Sequence, residues 1–353
     1  LRGTVSSWGD SYGNRVDRFL ATNAYLDGVK PSIVYCRGYY TRMAVTAWDW
    51  DGTNLTQRWY YNAATKGSGG YGQGNHNWTC GDVDNDGKDE IIHGSCAIDD
   101  NGSLMYRTGL GHGDAMHLSD FSPDNAGLEV WEVHEETSSA YGYELHDAKT
   151  GKILWGTKTG TDNGRGNAGD VDANSYGSEM WSGANYNTYS YKGDVISTSR
   201  PSYNFRIYWD GDLQDELLDG NKLDKWNGSG NTRLVTFNGN SCNTTKATPN
   251  LSADIIGDWR EEVILHDGAS KLYLYTTTTT TTNRMYTLMH DPVYRNAISW
   301  QNTAYNQPPH LGFWLGKGVS SIPVPNISLV TSSSSKSPVV SITSPGTGAT
   351  YTA

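Results

Sequence analysis

The stretch GDVDNDGKDEIIHG (residues 81–94) decides the fold class, because an oxygen-rich turn is followed there by a short apolar strand. Related phrases return later as SDFSPDNAGLEVWEV (residues 119–133), GDVDANSYGSEMWSG (169–183), WDGDLQDELLDG (209–220) and ADIIGDWREEVILHDG (253–268). They recur about every 40 to 50 residues, which is the period of a four-stranded propeller blade. The repeats therefore predict an all-β chain folded as a β-propeller.

Composition agrees with many short strands joined by tight turns. The 353 residues include 41 Gly, 23 Tyr and 13 Trp, and no long segment carries apolar residues at helical spacing. Between the acidic phrases, segments such as AIDDNGSLMYRTG (97–109) and YELHDAKTGKILWG (143–156) place an Asn-Gly or Thr-Gly turn between strand-like runs.

Charge excludes one class of partner and favours another. The chain has 38 acidic residues against 27 Lys and Arg, a net charge of -11, which would repel nucleic-acid phosphates and attract multivalent cations. The sequence has no run of 18 apolar residues, so it predicts no membrane-spanning helix.

The cysteines Cys36, Cys80, Cys96 and Cys242 have no C-x-x-C spacing, so we expect core thiols, with a Cys80–Cys96 disulfide left open.

The spacing D-x-D-x-D-G-x-x-E in the first acidic loop predicts a Ca²⁺ site. Asp82, Asp84, Asp86 and Glu90 supply hard oxygen donors, and Gly87 permits the sharp turn. The alternative is a solvated acidic turn, in which these carboxylates would repel one another.

Weaker versions of the same loop add further candidate ligands: Asp120, Glu129, Asp170, Asp172 and Glu179. In the 253–268 loop, Arg260 is a possible counter-charge in place of a cation.

Histidines in glycine-rich turns form a second group of candidates. GQGNHN (72–77) and GLGHGDAMH (109–117) present His76, His112 and Asp114 beside backbone that a ligand can approach, which suits metal or sugar binding. Histidines satisfied by backbone hydrogen bonds are the alternative. In CNTTKATP (242–249), Lys246 stands among small polar residues and is either a ligand contact or a solvated lysine.

Together with GLEVWEVHEE (127–136), GDWREEV (257–263) and WQNTAYNQPPH (300–310), these motifs resemble polysaccharide lyase family 11, the bacterial rhamnogalacturonan lyases, over residues 1–330. The resemblance implies an eight-bladed propeller with several Ca²⁺ ions and a substrate cleft. Family members carry a further N-terminal portion with the earliest blades, and we expect this chain to lack it.

The resemblance also implies site residues. Arg165 and Lys246 match the functional basic residues, and Tyr305 matches a sugar contact or proton-transfer partner. Family members more often have Gly where Thr244 stands. Asn243, Thr244 and Thr245 match the loop that holds rhamnose, and Asn306 is a further candidate for substrate binding. The remaining candidates, for metal, are His76, His112, Asp114, His134 and Glu135.

The implied reaction is β-elimination in rhamnogalacturonan I, a pectic polysaccharide. A base removes the C5 proton of galacturonate and the rhamnosyl oxygen leaves from C4; Lys246 as base with Arg165 on the carboxylate is the assignment we favour, and the reverse is the alternative. The short segment after VHEE predicts internal, endo-type cleavage. A non-catalytic calcium-stabilised carbohydrate-binding propeller is the rival function.

Three segments follow from composition: a catalytic domain over residues 1–330, a Ser-rich linker over 331–337, and the start of an immunoglobulin-like module over 338–353. With that modular organisation we expect a secreted, extracellular bacterial enzyme that is monomeric in its modular parent chain.

Overall fold

Short antiparallel strands dominate the computed structural model, which describes residues 3–303, 305, 308–319 and 321–325. In this part of the chain, 23 strands form six sheets, and each sheet joins its strands in sequence order. The prediction of an all-β chain is confirmed. The predicted linker (331–337) and immunoglobulin-like segment (338–353) lie outside the described residues.

The first three sheets have four strands each. Sheet 1 contains β1 (Phe19–Ala24), β2 (Ser32–Arg37), β3 (Met43–Trp50) and β4 (Leu55–Ala63). Sheet 2 contains β5 (Thr79–Gly81), β6 (Glu90–Ile92), β7 (Cys96–Ile98) and β8 (Leu104–Arg107). Sheet 3 contains β9 (Gly113–Ser119), β10 (Glu129–His134), β11 (Tyr143–Asp147) and β12 (Ile153–Thr157).

The remaining sheets continue the pattern. Sheet 4 contains β13 (Gly166–Gly169), β14 (Glu179–Ser182), β15 (Thr188–Ser190) and β16 (Val195–Ser197). Sheet 5 contains β17 (Phe205–Ile207), β18 (Glu216–Asp219), β19 (Lys222–Trp226) and β20 (Asn231–Thr236). Sheet 6 contains β21 (Leu251–Ala253), β22 (Glu262–His266) and β23 (Leu272–Tyr275). The α-helices are α1 (Gly13–Val16) and α2 (Pro292–Trp300), and short 3₁₀ turns cover Val5–Trp8, Thr244–Lys246 and Leu288–His290.

Apolar clusters fill the junctions between consecutive sheets. Each cluster takes side chains from one sheet and from the next along the chain, as in face-to-face sheet packing. Fully buried members at successive junctions are Met43 and Ile98, Ile92 and Val130, Trp131 and Met180, Trp181 and Leu217, and Phe205 and Val263. The repeated sequence phrase therefore corresponds to a repeated structural unit.

Helix α2 connects the first, second and last sheets. Asp291 caps it by accepting the Tyr294 N–H, and Pro292 occupies its first turn, where a missing N–H has no cost. The helix contacts β1, β5 and β21. The Asn296 amide donates to Asp89 at 2.9 Å and accepts from Asn23 at 2.9 Å, so one side chain links two sheets.

The cysteines are free thiols, and three of them are buried. The expectation of core thiols is confirmed for Cys36, Cys80 and Cys96, and the Cys80–Cys96 disulfide left open above does not form. Among the residues that the structure describes, no helix has the length and apolar character needed to cross a membrane.

Candidate active site and cation sites

Two glycine-rich segments bring His76 and His112 together where sheets 2 and 3 meet. Asn75 and Gly113 form a parallel bridge that joins the segment before β5 to the start of β9. The His76 N–H donates to the Gly113 carbonyl at 3.3 Å, and the two imidazole rings lie 4.9 Å apart. A Cβ on Gly113 would come within 2.5 Å of the Asn75 amide nitrogen, so this close approach requires glycine.

Two carboxylates complete a cluster that we name the cleft quartet: His76, His112, Asp114 and Glu135. Asp114 Oδ1 lies 3.3 Å from His76 Nε2 and 3.5 Å from His112 Nε2. Glu135 Oε2 lies 3.3 Å from the same His112 nitrogen. The potential ligand atoms of all four side chains lie within 4.8 Å of one another, so the predicted metal ligands His76, His112, Asp114 and Glu135 share one place.

The protonation of His112 shows what the quartet is suited to hold. Its Nδ1 donates to the Gly74 carbonyl at 2.6 Å, which turns Nε2 toward Asp114 and Glu135. Burial lowers the pKa of His112, but the two carboxylates outweigh burial and raise it to about 9. The site therefore draws positive charge to the Nε2 position, either a proton or a metal ion.

Two tyrosines that sequence reasoning missed form the wall of the quartet. The Tyr39 hydroxyl is 2.9 Å from His76 Nδ1, and the Tyr40 hydroxyl is 2.8 Å from His76 Nε2. The Tyr40 ring lies 3.8 Å from the His112 ring. The signal that the sequence offered was the aromatic pair directly after Gly38. In the structure, strand β2 ends just before Gly38, which has a φ of 74°.

The three predicted catalytic residues converge beside the quartet. The Tyr305 ring stacks on His76 with centroids 4.0 Å apart and planes 19° apart. Lys246 Nζ lies 3.5 Å from the Tyr305 ring centre, and Arg165 Cζ lies 5.9 Å from it. Residues separated by up to 140 positions in the chain thus share one cleft.

The surroundings of Lys246 in the cleft lower the pKa of its amine. Burial is the largest cause and the neighbouring Arg165 the second, and together they lower the pKa of Lys246 to about 8. Arg18, a residue that sequence reasoning missed, acts in the same direction. Arg18 comes from the segment before β1, its guanidinium lies 5.9 Å from the Tyr40 ring, and its Nε has no hydrogen-bond partner.

The predicted rhamnose loop borders the same cleft. Thr245 Oγ1 lies 3.4 Å from Arg165 Nη2. Asn243 and Thr244 adopt φ values of 59° and 47°, the left-handed region that favours glycine. A glycine at the Thr244 position would adopt this conformation without strain. Asn306 lies outside the described residues.

A groove of about 380 Å³ extends from this loop toward sheet 5. Arg165 and Thr245 stand at its cleft end, and Arg200, Tyr203 and Asn204 line it further along. Arg200 lies over the Tyr203 ring at 4.7 Å. An arginine, an aromatic ring and an amide are the side chains that an acidic sugar chain requires.

The acidic loops lie apart from the cleft and share one device. In each of five loops, a buried glutamate at the start of a strand turns one carboxylate oxygen to backbone N–H groups of the loop. The pairs are Glu90 with Val83, Glu129 with Phe121 and Ser122, Glu179 with Val171 and Asp172, Glu216 with Trp209 and Asp210, and Glu262 with Ile255 and Ile256.

The second oxygen of each glutamate distinguishes the loops. In Glu129, Glu216 and Glu262 it accepts from Asn125, Lys225 and Thr276, in that order. In Glu90 and Glu179 it is buried and has no hydrogen-bond partner. Burial is the largest cause that raises the pKa of both carboxyls to about 8, and the backbone N–H groups of the loops lower it in part.

The other predicted ligands form separate groups, and Glu90 lies with Asp99 and Asp100 rather than with the three aspartates of its own loop. Oxygens of Asp82, Asp84 and Asp86 lie within 4.8 Å of one another, and Gly87 has the predicted positive φ, 90°. Asp120 Oδ1 and Asp170 Oδ1 are buried without a hydrogen-bond partner. Asp172 accepts the Asn174 N–H at 2.9 Å. Arg260 pairs with Asp258 at 2.5 Å, the counter-charge considered for the 253–268 loop.

His134 does not join the cleft quartet. Although it precedes Glu135 in the chain, its ring is fully buried on the other side of β10, 3.6 Å from Glu144. Sequence adjacency alone could not separate the two, because successive side chains of a strand point to opposite faces.

Comparison with known proteins agrees with this geometry. Residues 1–325 match the model described as rhamnogalacturonan lyase family 11, C-terminal domain. Rhamnogalacturonan endolyase YesW of Bacillus subtilis (strain 168) is 53% identical over 332 residues, covering 92% of this chain and 53% of that protein. Rhamnogalacturonan exolyase YesX of the same organism is 49% identical over 345 residues, covering 92% and 56%.

The solved structure of Bacillus licheniformis rhamnogalacturonan lyase PL11 superposes with a TM-score of 0.89 at 54% identity, over 93% of this chain and 57% of that one. The chain thus spans about half the length of the curated relatives it matches. With a family match over residues 1–325, the chain belongs to rhamnogalacturonan lyase family 11, in its C-terminal domain.

Proposed function

We propose that this protein cleaves rhamnogalacturonan by β-elimination. The observation that carries the proposal is the convergence of Lys246, Arg165 and Tyr305 beside the cleft quartet. A lysine whose pKa is lowered to about 8 is a competent base near neutral pH, whereas a binding protein has no need of one. Relatives named as rhamnogalacturonan endolyase and exolyase support the substrate class.

Lys246 removes the C5 proton of galacturonate in this scheme. The electron pair of the C–H bond forms the C4–C5 double bond, and the rhamnosyl oxygen leaves C4 with a proton from a neighbouring group, a role we propose for the Tyr305 hydroxyl. Arg165 neutralises the uronate carboxylate, which otherwise opposes the negative charge that develops at C5. Lys246 rather than Arg165 is assigned as the base, because an arginine side chain does not deprotonate in proteins.

We further propose that Ca²⁺ occupies the cleft quartet and the loops of Glu90 and Glu179. The fit rests on unpartnered oxygens at Glu90 and Glu179 and on clustered carboxylates at Asp82, Asp84 and Asp86. A bound cation at the quartet would supply charge stabilisation for the uronate carboxylate. In the loops it would supply positive charge beside the buried oxygens of Glu90 and Glu179 that have no hydrogen-bond partner.

Cleavage inside the polymer is the mode we propose. Strand β10 ends at His134 and β11 begins at Tyr143, and the short segment between them supports this mode. Early products of mixed length are expected. Unsaturated disaccharide as the sole early product would exclude the endo mode.

The six sheets are, in this proposal, blades of a β-propeller. Support comes from their sequential four-stranded order and from the apolar clusters between consecutive sheets. We propose that the enzyme acts outside the cell, because its polymeric substrate is too large for uptake. We also propose that it is a monomer. Light scattering after size exclusion and activity in the culture supernatant test these two points.

The test of the main proposal is ultraviolet absorbance of the unsaturated uronide while the purified protein acts on rhamnogalacturonan I. A rise that EGTA abolishes and Ca²⁺ restores is expected. Binding of the polymer without any rise would favour the rival function, a non-catalytic carbohydrate-binding propeller. Homogalacturonan, which lacks rhamnose, is the control substrate and is expected to give no rise.

A further inference from the structure

Behind the cleft, four fully buried side chains form what we name the interior cluster: Glu132, His134, Glu144 and His146. They lie on the neighbouring strands β10 and β11. The strand register places Glu132 directly opposite Glu144. Two carboxylates in a buried cross-strand pair repel each other, so this register requires positive charge between the strands.

The His134 ring has no hydrogen-bond partner among the residues that the structure describes, which suggests that it binds an ion. Both of its ring nitrogens are buried and have no hydrogen-bond partner. Its Nε2 lies 3.6 Å from Glu144 Oε1, which is too long for a hydrogen bond. That separation matches two ligands of one tetrahedral ion, since bonds of about 2.0 to 2.1 Å place neighbouring ligands roughly 3.3 Å apart.

The remaining atoms of the cluster are held as the second shell of a metal site is usually held. Asn75 Nδ2 and Ser95 Oγ donate to the two oxygens of Glu132 at 3.0 and 3.2 Å. His146 Nε2 lies 3.3 Å from the Tyr106 hydroxyl, and its Nδ1 lies 2.9 Å from Glu144 Oε1. Ligand atoms of Glu132, Glu144 and His146 lie within 4.8 Å of one another.

We propose that the interior cluster is a structural zinc site. Glu132, Glu144 and His146 form its preassembled group, and His134, which now approaches Glu144, is the fourth ligand when the ion binds. Nitrogen donors select Zn²⁺ over Ca²⁺, which takes oxygen ligands, and the absence of exposure matches the closed, four-coordinate geometry of structural zinc. Two carboxylates and two neutral imidazoles balance the charge of one Zn²⁺ ion.

Zinc there would stiffen the floor of the cleft. His134 directly precedes Glu135 of the cleft quartet, and Asn75, which donates to Glu132, directly precedes His76. The interior cluster therefore holds both segments that present the quartet. This consequence depends on the proposed function, but zinc binding itself does not.

Zinc content is the decisive measurement, and the cleft quartet must first be disabled because it also offers imidazole and carboxylate ligands. His112→Ala protein, expressed in zinc-supplemented medium and passed through gel filtration, is expected to retain one zinc per chain by mass spectrometry. His112→Ala/Glu144→Gln protein is expected to lose it. His112→Ala/His266→Ala is the matched control, because His266 faces no carboxylate, and it should retain zinc.

Equal zinc in the Glu144 variant and its control would overturn the proposal and leave two ion pairs, with both imidazoles protonated. If the Glu144 variant does not fold, a spectrum decides instead. His112→Ala protein expressed with Co²⁺ is expected to show the visible absorption of tetrahedral cobalt, and its absence in folded protein would equally overturn the zinc site. Lyase activity is read in neither experiment, so failure here is separate from failure of the proposed function.

Discussion

Lys225 and Lys246 are two lysines whose pKa values are shifted in opposite directions by their surroundings. Lys225 Nζ lies 3.0 Å from Asp210, 2.7 Å from Asp212 and 2.5 Å from Glu216, in an acidic loop. Burial lowers its pKa, but the carboxylates outweigh burial and the net pKa is raised. Lys246 is buried beside Arg165, and its pKa falls to about 8.

The comparison also suggests two ways in which the repeated acidic loop can be neutralised: by a lysine of the chain or by a bound metal ion. In the 209–220 loop the chain supplies its own cation, and Lys225 occupies the position beside Glu216 that a metal ion would take. In the 81–94 loop the corresponding oxygen of Glu90 has no partner from the protein. A lysine among carboxylates is a structural cation, whereas a lysine among cations becomes a base.

The largest expected effect is at the base. Lys246→Ala should lower kcat on rhamnogalacturonan I by about 10³-fold, within the range that loss of a general base costs. Thermal stability should change by about 1 kcal/mol or less, because the Lys246 side chain is only partly buried. Full turnover by this variant would remove Lys246 from the mechanism.

Replacing Lys225 should instead lower the stability of the protein. Lys225→Met leaves Asp210, Asp212 and Glu216 without a cation, and we expect a loss of about 3 kcal/mol in unfolding free energy. Because those oxygens lie within 4.8 Å of one another, added Ca²⁺ should restore part of the loss. Chemical denaturation with and without Ca²⁺ measures both, and a loss that Ca²⁺ does not reduce would show that the loop cannot exchange lysine for metal.

Glu90→Gln tests whether the 81–94 loop depends on a bound cation. With Ca²⁺ present, the variant loses a charged ligand, and about 1 to 2 kcal/mol of stability should disappear. With EGTA, the wild-type carboxyl, whose pKa is raised to about 8, is largely protonated at neutral pH, so the variant should be about as stable as wild type. Melting temperatures in the two buffers give the comparison. The same loss in both buffers would mean that Glu90 acts only through its hydrogen bond to Val83.

Much of this arrangement was predictable from the sequence, for definable reasons. The all-β class followed from recurrent turns, and the meeting of Arg165, Lys246 and Tyr305 followed from matching motifs, which carry spatial information that spacing lacks. Lys225 was not identified as the cation of its loop. Its position opposite the aspartates depends on the β18–β19 hairpin register, which no local pattern reveals.

Other residues were hidden for the same kind of reason. Arg18, Tyr39 and Tyr40 come from the first sheet and reach a cleft built by sheets 2 and 3, so only tertiary structure joins them to His76. The opposition of Glu132 and Glu144 is likewise a register effect. His134 and Glu135 differ by one residue and therefore face opposite sides of β10.

The smallest expected effect concerns the pH at which Lys246 becomes a base. The neutral amine is the reactive form, so kcat should rise with pH through about 8 and then level. Arg18 lowers this pKa, so Arg18→Gln should move the midpoint to higher pH and slow turnover a few-fold at neutral pH, with less effect above the midpoint. Arg58→Gln, whose guanidinium pairs with Asp49 in sheet 1, is the control and should leave the profile unchanged. An Arg18 variant slowed equally at every pH would indicate a substrate contact, and the comparison of the two lysines would then rest on burial and Arg165 alone.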